Sequence, residues 1–288
     1  MRNKPRTFDS DNRSDPDFPW FDIHDRFAFP DTDETQGSVV AVGGNLSPGM
    51  IVSAYSQGIF PWFNDDDPLY WQSPDPRFVI LPETFHVPSR LERGMKKSLF
   101  TVKTDTAFER VIQYCAGVAR DGQNGSWITD DMIDAYAELH KLGVAHSIES
   151  WLDGNLVGGF YGVYMGSVFF GESMFTRVSD ASKTAFATFA RHFFGEMKGS
   201  IIDSQVYTDH MARFGGINIS RSAYLRKLRE GLYDRGAEGA TLKNGADCAA
   251  FASDAASGSG SASASDSIVL HQGLWRPDSL DPLTRSAE

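Results

Sequence analysis

Gly171-Glu172-Ser173-Met174-Phe175, followed by Ser200-Ile201-Ile202-Asp203-Ser204-Gln205, decides how this chain is read. Val168, Phe169 and Phe170 lead into the first stretch, and Met174 and Phe175 close it, a β-rich pattern. Between the two stretches, Ala181, Ala185, Phe186, Phe189 and Phe193 recur at helical spacing and predict a helix over 181–194. Ile201-Ile202 reads as a short buried strand. Two carboxylates and a carboxamide, Glu172, Asp203 and Gln205, therefore sit on or beside strands among large apolar residues. Burying such groups costs free energy unless they are paired or used. Surface positions or helix caps are the plainer alternative.

Upstream, Asp153-Gly154-Asn155 marks a tight hairpin and Met165-Gly166-Ser167 a turn, so 156–164 and 168–175 continue a meander. Ser47-Pro48 starts a helix, which Gly58 stops. Asp105, Thr129 and Asp180 stand where helix caps belong. Three or more strands covered by helices predict an α+β layer. His146 falls on a strand with no acid partner visible in the sequence and is read as structural. Cys115 lies on the presumed core face of its helix, with Phe108, Val111 and Ile112.

The 288 residues carry a net charge of −11, and three stretches hold all of it: 1–36, the Asp65-Asp66-Asp67 loop and 236–288. The rest is neutral and has room for a local basic patch, for which Arg90, Arg93, Lys96 and Lys97 are the candidates. A solvated helix face is the alternative. The two cysteines, Cys115 and Cys248, give no disulfide framework and no metal-ligand spacing. The apolar runs are too short to span a bilayer, and the start has no signal core. These features predict a soluble cytoplasmic protein. Residues 1–36 read as acidic and flexible, and 236–267, rich in Ala, Gly and Ser, as a low-complexity insert. Residues 37–98 read as a small N-terminal domain, 99–235 as the catalytic domain and 268–288 as a C-terminal segment.

Several motifs occur in one order from about Val42 to Leu228: Gly58-Ile59-Phe60-Pro61-Trp62-Phe63, Ser73-Pro74-Asp75-Pro76-Arg77, Trp127-Ile128-Thr129, Ala145-His146-Ser147-Ile148-Glu149, Phe170-Gly171-Glu172-Ser173-Met174-Phe175-Thr176-Arg177, Ala181-Ser182-Lys183 and Ile202-Asp203-Ser204-Gln205. Together they resemble the leucyl/phenylalanyl-tRNA–protein transferase family. The resemblance implies a C-terminal domain like the GNAT acyltransferases, with an antiparallel-rich sheet flanked by helices. The glycine-rich phosphate loop of coenzyme A users is not evident; Asp180-Ala181-Ser182-Lys183 stands in its place. It implies transfer of Leu or Phe, and less well Met, from aminoacyl-tRNA to proteins with N-terminal Arg or Lys, marking them for degradation. No cofactor, membrane or DNA partner is implied. Trp62 and Trp127 would stack on the terminal adenosine, and the basic cluster would meet tRNA phosphates. Glu172, Asp203 and Gln205 would carry the chemistry, with Asp203 orienting Gln205 or serving as base and Glu172 holding the acceptor's cation. Phe160, Phe169, Phe186, Phe189 and Ile202 would line the aminoacyl pocket, although Phe160 and Phe186 stand where the family usually has smaller or aliphatic residues. Other departures are Asn45 for a usual Asp, Trp71-Gln72 for a Trp pair and Ser89-Arg90 against a shifted basic residue. A GNAT-like or peptidoglycan-type acyltransferase and a non-catalytic tRNA-end binder remain as alternatives.

Overall fold

The computed structural model describes residues 17–32, 35, 37–64, 67–97, 100–118, 128–235 and 240–242. In chain order the first elements are β1 (Val39–Val42), α1 (Pro48–Ser56), β2 (Phe60–Pro61), β3 (Tyr70–Gln72), β4 (Arg77–Ile80) and α2 (Ser89–Met95). Then come β5 (Thr101–Thr104), α3 (Phe108–Ala116), α4 (Asp130–Lys141), β6 (Ala145–Leu152), β7 (Asn155–Met165) and β8 (Val168–Thr176). The chain continues through α5 (Ala181–Gly195), β9 (Ile201–Asp203), α6 (Asp209–Ala212), β10 (Ile217–Ile219), α7 (Arg221–Leu232), β11 (Tyr233–Arg235) and β12 (Ala240–Leu242).

The fold is α+β, as the alternation of periods predicts. A small sheet has the order β1-β3-β2, and a large one β10-β4-β9-β8-β7-β6-β5. Pairs in the large sheet are antiparallel except β8 with β9, which α5 joins as a parallel crossover. Asp153 and Gly154, with φ of 49° and 74°, turn β6 into β7 as a two-residue hairpin loop requires. Strand β4 precedes residue 98 yet lies between β9 and β10. The large sheet therefore draws on sequence from both sides of the expected 98/99 boundary.

Period-two alternation sends the sheet's side chains to two cores. Phe78, Ile80, Phe160, Phe169 and Ile202 meet Phe186, Phe189 and Phe193 of α5. Val79, Tyr161, Val163, Phe170, Phe175 and Ile201 face the other way, into the core shared with α1, α3, α4 and α7. Gly158 is required where β7 passes under the start of α5, since a Cβ there would lie 2.6 Å from the Ala181 methyl.

Several local expectations are corrected. Residues 17–30, expected to be flexible, pack: Phe18, Phe21, Phe27 and Phe29 form a chain of edge-to-face and tilted ring contacts ending on Trp71. Asn45 Nδ2 donates to the carbonyls of Phe18 and Pro19, which an aspartate could not do. Asp105 does not cap α3. It lies at φ 56° with its carboxylate accepting from the Ser147 amide and pairing with His146 Nδ1 at 2.8 Å, so His146 has an acid partner that its sequence surroundings do not show. The start of α3 is served by buried Glu149, whose Oε1 accepts from the amides of Thr106 and Ala107. Asp180 stands at the N-cap of α5, but its side chain makes no capping bond and holds Lys183 instead. Thr129 caps α4 as expected, accepting from the Met132 amide. Ala240–Leu242, in the stretch read as low-complexity insert, pairs with β11; the rest of 243–288 lies outside the described residues.

Candidate active site

The site begins at a break in alternation. Phe169 and Met174 share one face of β8, and Phe170 and Phe175 the other. Each pair is five residues apart, so one residue must be extra. Tyr161 pairs with Ser173 and Gly162 with Gly171, which leaves Glu172 as the bulged residue. Such bulges re-aim a side chain and recur beside active sites. Here the bulge turns a carboxylate out of the ladder and into a cavity.

Glu172 receives two hydroxyls that also lie 2.5 Å from each other. Tyr55 of α1 donates to Oε1 at 2.6 Å and Tyr136 of α4 to Oε2 at 3.2 Å. Gln205 Nε2 donates to Oε1 at 3.1 Å. None of these partners is charged. Burial therefore dominates and raises the carboxyl from its ordinary 4.5 to about 7, against the lowering effect of the two tyrosine hydroxyls. Burial likewise pushes both tyrosines well above their usual value, and neighbouring Glu172 adds to the rise.

Asp203 has the opposite setting. Next to Ile202 on β9, it points to the other face of the sheet, fully buried. Arg77 grips it with Nε to Oδ1 at 2.9 Å and Nη2 to Oδ2 at 2.7 Å. The Tyr224 hydroxyl donates to Oδ2 at 2.7 Å and the Gln205 amide to Oδ1 at 2.9 Å. Burial lowers the Arg77 pKa, but the Asp203 charge overcomes this and holds it above the ordinary value. Four donors thus occupy the two carboxylate oxygens, two on each, and one of them is the Gln205 amide. Of the two roles expected for it, the geometry favours orienting Gln205. Gln205 lies at φ 56°, a region disfavoured for a residue with a side chain, and the Asp203 bond pins that turn. Bonds between Ser204 N and Phe78 O, and between Phe78 N and Gln205 O, hold the turn against β4.

Glu172 and Gln205 face a cavity of about 350 Å³. Its apolar wall includes Phe160, Phe169, Phe186 and Ile202, four of the five expected pocket residues. Phe189 is not on the wall; fully buried, it backs Phe169 with ring centroids 4.5 Å apart. Met174 and Met211 also line the cavity and were not singled out by sequence. Their adaptable thioethers resemble core formers in sequence. Arg77, Tyr55, Tyr136 and Tyr224 were likewise missed.

Trp62 forms the opposite wall with Phe60 and Pro61. It is half-buried, stacked beside Phe60, and its carbonyl accepts from Gln72 Nε2 at 2.8 Å. Trp127 lies outside the described residues. Arg90, Arg93, Lys96 and Lys97 are exposed on and just after α2. Among the described residues no cluster of His, Cys, Asp and Glu is arranged to hold a metal, and no helix is long and apolar enough to cross a membrane.

An apolar cavity thus ends on a carboxylate and a carboxamide, and the comparisons with known proteins make the chain an aminoacyltransferase. The family profile described as leucyl/phenylalanyl-tRNA protein transferase matches residues 79–229, and that of the same family's N-terminal domain matches 44–75. The chain belongs to this family. It is 48% identical over 207 residues to the leucyl/phenylalanyl-tRNA–protein transferase of Myxococcus xanthus, covering 72% of this chain and 88% of that one. The transferase of the same name from Solidesulfovibrio magneticus is 46% identical, covering 77% and 90%. That of Nitrosospira multiformis is 49% identical, covering 67% and 82%.

Proposed function

We propose that the chain moves Leu or Phe, and less well Met, from aminoacyl-tRNA to the α-amine of cytoplasmic proteins that begin with Arg or Lys, marking them for degradation. The observation that carries this is the apolar cavity ending on the Glu172–Gln205 pair. The acyl side chain lies against Phe160, Phe169, Phe186 and Ile202, and the terminal adenosine stacks on Trp62. Stacking suits an unpaired end because any base presents a π-face.

The ester is already activated, so position matters most. The neutral amine attacks the ester carbonyl carbon, the amide bond forms, and the terminal ribose oxygen leaves with a proton. An unperturbed protein α-amine titrates at about 7.7–8.0, and a carboxyl near 7 is matched to accept its proton. Glu172 therefore meets the acceptor's amine, with Gln205 orienting the carboxylate and the reacting groups. Asp203 and Arg77 position the Gln205 turn. In a second reading Glu172 pairs with the acceptor's side-chain cation; its place as the cavity's carboxylate supports that equally. The two separate on peptides: a neutral first residue is still transferred slowly in the first reading and suffers no Glu172→Gln penalty in the second.

The test is label transfer by the purified chain from labelled Leu-tRNA to a protein beginning with Arg, against the same protein beginning with Gly. Label on the Arg protein well above that on the Gly protein is expected; none on either removes the proposed function.

A further inference from the structure

A second cavity of about 320 Å³ shares His210 in its wall with the apolar pocket. Arg90, Lys183, Arg213 and Asp180 line it. Lys183 and Asp180 pair at 2.7 Å, so their charges offset one another. The Arg90 and Arg213 guanidinium groups have no partner among the described residues. His210 Nε2 is buried there and makes no hydrogen bond among the described residues. Burial, then Lys183 and Arg213, push that ring down to about 4, so it adds no charge of its own at neutral pH. The start of α5, which lacks a side-chain cap, adds its positive end beside Ser179 and Asp180.

We propose that this cavity is an anion subsite for a phosphodiester of the single-stranded RNA end whose acyl group occupies the apolar pocket. The inference rests on the proposed function and extends it inward from the surface basic cluster. Three cations against one carboxylate disfavour a cationic acceptor peptide. A single RNA strand, carrying its acyl group at the terminus and phosphates behind it, fits two adjoining cavities with one wall between them. Lys183 and Arg213 then share with Arg90 the work of holding the strand, from α5, the end of α6 and α2 respectively.

The test uses the full chain and an RNA hairpin with a single-stranded 3′ end carrying Leu through a non-hydrolysable amide. Dissociation constants are measured over a range of salt for the wild type, Arg213→Gln, Lys183→Gln and Trp62→Ala. Arg213 is exposed, and its variant is checked for an unchanged thermal transition. Arg213→Gln is expected to weaken binding about 3–10-fold at low salt and to lower the salt slope by about 0.7, the value of one lost single-strand phosphate contact. Lys183→Gln should act in the same direction. In the transfer assay Arg213→Gln should raise KM for the RNA with kcat unchanged. One methylphosphonate in the 3′ strand should reproduce the loss in wild type and add nothing in Arg213→Gln. Wild-type affinity and slope in Arg213→Gln, with Trp62→Ala still weakened, overturn the subsite and leave the RNA-end reading standing. Unchanged binding in Trp62→Ala as well overturns both. Inorganic phosphate is the remaining probe: Arg213-dependent binding of it without Arg213-dependent RNA binding overturns the assignment to RNA.

Discussion

Glu172 and Asp203 sit on neighbouring strands, the first half-buried at a cavity and the second fully buried, and their surroundings set them apart. Asp203 meets a guanidinium, a phenol and a backbone amide, and every strong acceptor position is used. Glu172 meets two phenols and a carboxamide, none charged, with a cavity beside it. Burial is common to both, in different degree. What differs is the sign of the compensation: a paired cation makes a buried acid structural, whereas neutral donors leave it near its titration point. Glu149 bounds the lesson: its amide, hydroxyl and indole donors are neutral too, yet they are more numerous, neither cavity adjoins it, and it serves a helix start.

The largest expected effect tests the structural half of this contrast. Arg77→Met leaves Asp203 buried without its cation and should cost about 3–5 kcal/mol of folding stability, measured by denaturant unfolding. A loss under about 1 kcal/mol would show that Tyr224 and the Gln205 amide suffice, and the contrast would break.

Next comes the chemical half. Gln205→Ala and Glu172→Gln should lower kcat/KM by about 10–100-fold with RNA affinity retained, the lower part of the range for acid–base help on an activated ester. Asp203→Asn should lose melting temperature and activity together. If Asp203→Asn stayed fully stable but inactive, the base role would return to Asp203.

Trp62→Ala should weaken aminoacyl-tRNA binding by about 1–3 kcal/mol through lost stacking, read by titration with charged tRNA. Unchanged affinity would leave the opposite wall of the cavity without a part in RNA binding.

The smallest effect sharpens the comparison through pH. A carboxyl raised to about 7 in the folded state, from 4.5, favours folding while protonated in both states. That advantage is lost as pH rises from about 4.5 through 7, because the native state then binds more protons than the unfolded one. Glu172→Gln should therefore melt higher than wild type at pH 8, by roughly 2–6 °C for about 1–2 kcal/mol, and the gain should fade below pH 5. The same comparison on Arg77→Met should show no gain at pH 8.

Much of this was legible in the residues themselves. The β8–α5–β9 order followed from periodicity alone, and the hairpin from Asp153-Gly154. The aminoacyl pocket came from the resemblance and not from period; of its five residues, Phe160, Phe169, Phe186 and Ile202 line the cavity and Phe189 lies behind Phe169. The bulge at Glu172 was not read from the sequence, because only the pairing with β7 shows that Phe169 and Met174 share a face. Except for Phe29, the N-terminal aromatic residues were hidden by composition, because Phe18, Phe21 and Phe27 are spaced among acids and prolines without a helical or strand period.

By itself the sequence determined the class of fold and the family, because these depend on local period and on motifs in order. The tertiary structure alone decided what surrounds Glu172, Asp203 and Gln205. Arg77 reaches Asp203 across two paired strands, Tyr55 and Tyr136 reach Glu172 from separate helices, and Gln205 reaches back to β8. The charge state of a buried acid depends on partners that only folding brings within about 3 Å, the reach of a hydrogen bond, and sequence spacing carries no record of that distance.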